Sequence, residues 1–196
     1  MSASGDPGLA VLVVCTANRC RSVMAEVLLS QRLAMMGRPE RVASAGLRGC
    51  GQPPPPEVVL VMAGYGLDVA GHRSRVLSKT DLASADLILA MAREHLRYAV
   101  SVQPSVWSRV FTLKELVRRG DQVGPRLPAE SFADWLARVH GGREHTALLG
   151  DSPQDDVIDP IGGPLRAYEM TAALISQLIG GLAQLCWGLS ADNLPG

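Results

Sequence analysis

Cysteine, arginine and serine side chains stand close together in the segment LVVCTANRCRSVMAE, residues 12–26. Cys15 ends an apolar run typical of a buried strand, and Arg21 stands six positions later, where a helical pattern begins. A strand–turn–helix unit concentrates unpaired backbone N–H groups at one spot, and the helix dipole adds partial positive charge there. Such a turn binds phosphate, and the same field favours the thiolate form of Cys15. The segment therefore predicts a nucleophile and a phosphate clamp around one anion.

The other residues of this turn fit a loop that surrounds an anion. Asn18 tolerates the left-handed backbone that turns successive amides inward. We expect Ser22 to cap the helix and to offer its hydroxyl to the sulfur. Cys20 is placed to form a disulfide with Cys15 under oxidation, which would protect the thiolate. The residues predicted to bind phosphate are Thr16, Ala17, Asn18, Arg19, Cys20 and Ser22.

The composition of the 196-residue chain is that of a globular protein, with 47% hydrophobic and 19% charged residues. The length predicts one domain, residues 1–196, with residues 1–8 flexible. Nineteen basic residues balance nineteen acidic ones, so we expect no nucleic-acid partner. The four cysteines and four histidines show no metal-ligand spacing, and we expect neither a metal nor a cofactor.

The C-terminal segment 170–191 carries no charged residue and is long enough to span a bilayer. Ser176, Gln184, the Gly180-Gly181 pair and the lack of basic flanks favour a buried or dimer-covered helix instead. The N-terminal residues lack the basic region of a signal peptide. We expect a cytoplasmic protein without a membrane partner, either a monomer or a weak homodimer.

Short apolar runs alternate with helical patterns along the chain, which is typical of an α/β fold with a parallel sheet. Three of the four predicted strands are rich in Val, Leu or Ile, as strands buried on both faces are. The predicted strands are Leu9–Val14, Val42–Ala45, Asp86–Ala90 and Arg109–Thr112. The predicted helices are Ser22–Met36, Glu57–Gly66, Arg93–Val102, Leu113–Arg119, Ala129–His140 and Leu165–Leu189.

The motif VVCTANRCRSVMAE resembles the phosphate loop of the low-molecular-weight protein tyrosine phosphatases, which has the pattern V-C-x-G-N-x-C-R-S-P-x-A-E. Further segments resemble that family in the same order: SAG at 44–46, GLDVAGHRSRVL at 66–77, ADLILAMAREHL at 85–96 and DVIDPIGGP at 156–164. The resemblance implies a three-layer α/β fold. In it, helices flank a four-stranded parallel sheet, and the phosphate-binding loop follows strand 1.

The resemblance also implies a cysteine-dependent phosphomonoester hydrolase, with phosphotyrosine in proteins as the expected substrate. Cys15 would be the nucleophile that forms a phosphocysteine, Arg21 the phosphate clamp, and Asp159 the general acid and base. By position alone, Asp155 and Asp156 are rival acids.

Two residues outside the loop are implied to support it. Ser44 matches the serine that hydrogen-bonds the loop asparagine, here Asn18. We expect His72, in the segment GHRSR, to be a structural hydrogen-bonding residue and not a catalytic base.

The chain departs from the family pattern where a substrate would be selected. Ala17 replaces glycine, which would strain the loop if that residue needed a positive φ. Ile161 replaces the aromatic residue after Asp-Pro, and residues 47–56 carry no aromatic side chain. A good aromatic contact contributes ~1 kcal/mol beyond burial, so we expect weaker selection for a phenyl ring. Arg19 stands where tyrosine phosphatases often have an aliphatic residue and arginine phosphatases threonine, and would suit an anionic group beside the phosphate.

Three alternatives stay open at this point. The substrate could be another phosphomonoester, such as phosphoarginine or a small metabolite. An arsenate reductase would use the same loop and fold, although Cys50 and Cys186 do not form the cysteine pair of its thioredoxin-linked members. The third is a catalytically weak phosphate-binding module. Ala17 and the lack of aromatic walls favour it, whereas Cys15 and Asp159 argue against it.

Overall fold

Four parallel strands form one sheet, with the order β2-β1-β3-β4, in a computed structural model that describes residues 8–38 and 40–188. Residues 1–7 of the segment 1–8 that was predicted to be flexible, and the predicted helix end at Leu189, lie outside this range. The strands are β1 (Ala10–Cys15), β2 (Arg41–Gly46), β3 (Leu87–Ala90) and β4 (Val110–Thr112). The predicted fold class is confirmed, and each predicted strand is correct to within one residue at either end.

Seven α-helices connect and cover the strands within the described residues. They are α1 (Arg21–Met35), α2 (Pro56–Gly64), α3 (Lys79–Ser84), α4 (Arg93–Val102), α5 (Leu113–Val123), α6 (Phe132–His140) and α7 (Leu165–Trp187). Short 3₁₀ helices occupy Pro104–Arg109 and His145–Leu148.

The central strand β1 separates two hydrophobic cores because successive side chains of a strand point to opposite faces. Val11, Val13 and Cys15 belong to the core formed with α1 and α7. Leu12 and Val14 belong to the core on the other face, which α3 and α4 cover. Each buried Val or Leu contributes ~1.5–3 kcal/mol, which fixes the register of this strand.

The register brings the carboxyl ends of three strands to one edge of the sheet. Val14 lies opposite Ala45 of β2 and Ala90 of β3, and Cys15 lies opposite Gly46. Whatever follows these strands is therefore held side by side, as is typical of ligand sites in parallel sheets.

Helix α7 is long and apolar enough to cross a membrane by length and composition alone. Half of its most apolar window is buried, and a core helix passes the same test. It packs against α1 and α5, with Ile175, Ile179 and Leu182 in the larger core.

Three helices differ from their predictions for local reasons. Helix α3 was not predicted; it is short, and a capping box between Ser78 and Asp81 begins it. Helix α5 continues past Arg119 through Gly120, where a Cβ would lie 2.8 Å from Leu185 Cδ1, so glycine permits close packing on α7. Helix α6 begins at Phe132 and not at Ala129, because the hydroxyl of Ser131 caps it.

Candidate active site

The turn after β1 has the geometry of an anion-binding loop. Within the described part of the chain, Asn18 is the one non-glycine residue with a positive φ, at 51°. Ala17 needs no such conformation, so the expected strain at this position is absent. The left-handed residue bends the chain so that α1 begins directly at Arg21.

Two carbonyl groups of this loop accept hydrogen bonds from segments that surround it. Thr16 O accepts from Arg48 N at 3.0 Å, and Asn18 O accepts from His72 Nε2 at 2.9 Å. The backbone N–H groups of residues 16–20, by contrast, donate to no atom among the described residues. The loop therefore has a run of free N–H donors, which suits an oxyanion. His72 holds the loop from outside, as a structural residue does.

No side chain caps the start of α1. Cys20 is the N-cap residue and makes no capping hydrogen bond, while Ser22 lies inside the first turn. The prediction that Ser22 caps the helix is therefore wrong. The positive end of the helix dipole stays open towards the loop.

A chain of hydrogen bonds connects the Cys15 sulfur to Ser22, Asn18 and Ser44. Asn18 Nδ2 donates to Ser44 Oγ at 2.7 Å and to Ser22 Oγ at 3.0 Å. Ser22 Oγ lies 3.0 Å from Cys15 Sγ. Because Asn18 occupies a lone pair of Ser22, the Ser22 hydrogen is available to the sulfur. Ser44 in turn donates to the Glu26 carboxylate, which no sequence signal indicated.

Gly46 ends β2 where the loop lies directly against it. A Cβ at this position would lie 2.7 Å from Asn18 N and 2.8 Å from the carbonyl carbon of Ala17. Such contacts are too close for any other residue, so the glycine of the SAG motif allows the loop to seat on the sheet.

Arg21 joins the loop to the late Asp-Pro segment. Its Nη1 donates to Val157 O at 3.0 Å, and its Nη2 donates to Thr16 Oγ1 at 3.1 Å and to Asp159 Oδ2 at 2.6 Å. The side chain is only 5% exposed. Its Nε is buried and donates to no atom in the described chain. A buried unpaired donor of a charged group is costly, and an oxyanion in the loop would satisfy it.

Asp159 reaches the loop because the residues before it are anchored to the sheet edge. Val157 N donates to Met91 O at 2.8 Å, directly after β3. Asp159 Oδ1 accepts from Ile161 N at 3.2 Å, which orients the carboxylate, and the side chain is 37% exposed. Cys15, Arg21 and Asp159 are thus brought to one place from distant parts of the chain.

The rival acids are occupied elsewhere. Asp155 is buried and pairs with Arg93 at 2.7 Å and Arg118 at 2.8 Å. Burial alone would raise its pKa, but hydrogen bonds and charge from both arginines hold the pKa below its usual range. Asp156 accepts from Arg93 N at 2.7 Å and from Ser152 N at 3.1 Å. Both carboxylates therefore fix the segment that leads to Asp159.

The two cysteines of the loop, Cys15 and Cys20, are free thiols in different environments. Burial raises the pKa of Cys20, and the charges of Asp159 and Cys15 raise it further, so Cys20 stays protonated. Cys50 is exposed on the segment after β2, whereas Cys186 is buried in α7.

Arg19 lies at the mouth of the loop, and the segments implied to wall this mouth lack aromatic side chains. Arg19 Nε donates to Pro53 O at 2.8 Å, so this guanidinium lies along the proline-rich segment. Ile158 and Ile161 are exposed beside Asp159, at 81% and 47%. Of these two, Ile161 occupies the position where the family pattern has an aromatic residue.

A second group that sequence reasoning missed contacts the loop from α4. His95 Nε2 lies 2.9 Å from Thr16 Oγ1 and 3.1 Å from Glu94 Oε1, and Thr16 Oγ1 lies 3.2 Å from the same carboxylate oxygen. The segment AREHL carried no signal of this contact. Among residues 8–38 and 40–188, no group of His, Cys, Asp and Glu could hold a metal ion.

Comparison with known proteins places this site in a family. The family model described as low molecular weight phosphotyrosine protein phosphatase matches residues 10–127. The low molecular weight protein-tyrosine-phosphatase Etp of Escherichia coli is 38% identical over 138 residues, covering 70% of this chain and 88% of Etp. A protein-arginine-phosphatase of Bacillus subtilis is 29% identical over 176 residues, covering 89% of this chain and 94% of that protein.

The crystal structure of a low molecular weight protein tyrosine phosphatase from T. tengcongensis is similar in fold. It has a TM-score of 0.69 and 35% identity, and covers 90% of this chain and 99% of that one. These matches confirm the family resemblance found in the sequence. The chain belongs to the low molecular weight phosphotyrosine protein phosphatase family and is a cysteine-dependent phosphatase.

Proposed function

We propose that the chain hydrolyses phosphomonoesters in two steps, with Cys15 as nucleophile, Arg21 as phosphate clamp and Asp159 as acid and base. First, the Cys15 sulfur bonds to phosphorus, the bond from phosphorus to the ester oxygen breaks, and Asp159 gives that oxygen its proton. Then Asp159 takes a proton from water, the water oxygen bonds to phosphorus, and the phosphorus–sulfur bond breaks. Phosphate and the Cys15 thiolate are the products.

The observation that carries this proposal is the junction at Arg21. The guanidinium contacts Asp159 at 2.6 Å, and the next residue, Ser22, contacts the Cys15 sulfur at 3.0 Å. The first turn of α1 thus contains the proposed clamp and contacts both the proposed nucleophile and the proposed acid. The unpaired Arg21 Nε and the free loop amides supply donors for the charge that develops on the equatorial oxygens.

We propose phosphotyrosine in proteins as the substrate, in agreement with the name of the Escherichia coli relative. Arg19 lies at the mouth and favours sequences with acidic residues near the phosphate. Ile161 in place of an aromatic wall favours a second candidate, another phosphomonoester such as phosphoarginine or a small metabolite.

Hydrolysis of p-nitrophenyl phosphate by the wild type and by Cys15→Ser tests the chemistry. We expect the serine variant to lose nearly all turnover while it keeps its melting temperature and still binds inorganic phosphate. Equal, slow turnover by the two proteins would favour the phosphate-binding module instead.

A leaving-group series tests the acid. Asp159→Ala should slow phenyl phosphate far more than p-nitrophenyl phosphate, because the nitrophenolate leaves without much help from a proton. An equal loss on both esters would indicate structural damage and not acid catalysis.

A substrate panel distinguishes the two substrate candidates. We expect kcat/KM to be highest for phosphotyrosine peptides with flanking Asp or Glu, compared with neutral phosphotyrosine peptides, phosphoarginine and small phosphorylated metabolites. A strong preference for neutral phosphotyrosine peptides would contradict the role of Arg19. Arsenate-dependent consumption of thiols would favour an arsenate reductase. The exposed position of Cys50 and the buried position of Cys186 argue against that function, because the two do not form a cysteine pair.

A further inference from the structure

Nη2 of Arg21 has two acceptors in this structure, and it can keep only one of them if phosphate takes one of its two N–H groups. Nη1 donates to Val157 O, while Nη2 is shared between Thr16 Oγ1 and Asp159 Oδ2. A bidentate phosphate contact needs Nε and one N–H of Nη2. Because Asp159 must be free to serve the leaving group, Thr16 is the Nη2 partner that stays.

The Thr16 hydroxyl can hold Arg21 only if its own proton points elsewhere. A hydroxyl has one proton and two lone pairs, and here it meets Arg21 Nη2, Glu94 Oε1 and His95 Nε2. Arg21 donates and so takes one lone pair. The proton can therefore go to either Glu94 or His95.

The hydrogen-bond balance decides between these two arrangements. If Thr16 donated to His95, the His95 proton would sit on Nδ1, which is buried without a partner among the described residues. Glu94 Oε1 would then face a lone pair of Nε2 at 3.1 Å. If Thr16 donates to Glu94, the proton of His95 lies on Nε2 and is satisfied. Only a lone pair of Nδ1 then stays unpaired, which costs less than a buried N–H.

His95 is suited to a fixed neutral role in this arrangement. The side chain is fully buried, and burial together with the charges of Arg21 and Arg97 lowers its pKa to about 3. It therefore carries one proton at neutral pH, and its tautomer sets the direction of the Thr16 hydroxyl.

We propose that Glu94 and His95 are positioning residues that hold Arg21 in place through the Thr16 hydroxyl, with the His95 proton on Nε2. This inference rests on the proposed function of the loop. Neither residue touches the reacting atoms. They keep one Nη2 contact of Arg21 fixed while the other passes from Asp159 to the substrate phosphate.

Variants of Thr16 test the hydroxyl. Thr16→Val removes the acceptor at nearly constant volume and should lower kcat/KM for p-nitrophenyl phosphate and the affinity for inorganic phosphate by ~10-fold or more. Thr16→Ser keeps the hydroxyl and should recover most of that loss. Equal values for the valine variant and the wild type would overturn the proposal, as would a serine variant as poor as valine.

Variants of Glu94 test whether this residue acts on Arg21 through the Thr16 hydroxyl. Glu94→Ala should lower both quantities by ~3- to 10-fold, whereas the control Glu169→Ala, an exposed carboxylate on α7, should change neither. Residues that act through one group are not additive. The double variant Thr16→Val/Glu94→Ala should therefore be no worse than Thr16→Val alone, and additive losses would overturn the proposal.

Nitrogen NMR of the His95 ring reports the tautomer directly. We expect protonated Nε2 and unprotonated Nδ1 in the wild type; a proton on Nδ1 would overturn the assignment. Cys15→Ser is assayed alongside: if it equals the wild type, the proposed function fails. If the wild type turns over and Thr16→Val matches it, only the positioning inference fails.

Discussion

Arg21 Nη2 lies 2.6 Å from Asp159 Oδ2, so the proposed clamp and the proposed acid are bound to each other across 138 positions of sequence. The guanidinium that would bind phosphate is thus partly neutralised by a carboxylate. Phosphate and Asp159 compete for the same Nη2. Substrate that takes this donor would free the Asp159 carboxylate, which has to take up a proton, from solvent or from the phosphomonoester, before it can give one to the leaving group. The ion pair therefore belongs to the site without substrate, and substrate has to break it in order to bind.

Replacing Asp159 by asparagine should separate binding from turnover. Asp159→Asn removes a negative charge next to the anion site, and we expect inorganic phosphate to inhibit at ~5-fold lower concentration. Turnover of phenyl phosphate should fall by ~10- to 100-fold, because its phenolate leaving group needs a proton that the amide cannot supply. Isothermal calorimetry with phosphate measures the first effect; unchanged affinity would mean that the carboxylate does not compete for Arg21.

The neutral thiol of Cys20 should protect Cys15 from irreversible oxidation. Peroxide would convert the Cys15 thiolate to a sulfenic acid, which condenses with the Cys20 thiol and releases water. We expect mass spectrometry to detect a Cys15–Cys20 disulfide, and dithiothreitol to restore activity. Cys20→Ser should lose this recovery after the same exposure, and recovery equal to that of the wild type would contradict the prediction.

Gly46→Ala should displace the phosphate loop. The added methyl would lie 2.7 Å from Asn18 N, so either β2 or the loop has to move. We expect a loss of ~1–3 kcal/mol in the free energy of unfolding and a larger relative loss of activity. The control is Gly64→Ala, at the end of α2, where a Cβ would meet nothing within 4 Å. Chemical denaturation of both variants checks the difference, and equal behaviour of the pair would refute the steric argument.

Asp155 should make the fold sensitive to acid. The two arginines hold the pKa of Asp155 below its usual range, so its contribution is complete above the unfolded pKa of ~4 and is lost as the pH falls through the lower folded value. Asp155→Asn should be ~1–3 kcal/mol less stable at neutral pH. Urea unfolding from about pH 7 to pH 2 should show the two proteins converging in acid. A difference that stays constant with pH would contradict the ion-pair explanation.

Local parts of the site were predictable because one short segment contains them. The strand ending at Cys15, the turn and the helix start at Arg21 follow from hydrophobic pattern and from the requirements of a phosphate loop. The contact of Asn18 with Ser44 followed from the family resemblance. The error at Ser22 arose because a serine near a helix start is read as a cap, whereas here the helix begins one residue earlier.

Contacts between distant segments were not predictable from residue types. Nothing in the residue types around Glu94 or His95 indicates that they contact the loop, since both lie on α4, whose packing depends on the whole sheet. By position alone, Asp155 and Asp156 were rivals of Asp159, and only the family resemblance favoured Asp159. The arginines that bind Asp155 come from α4 and α5, and no sign of these contacts was present in the sequence.

The position of β1 between β2 and β3 has a consequence for how the protein loses its activity on heating. The strand that ends in Cys15 lies in the middle of the sheet, with a core on each face, so its amides should be among the slowest to exchange with deuterium. The nucleophile then cannot be displaced by fraying of an edge. Catalysis and the global fold should fail together, at one temperature and in one cooperative step.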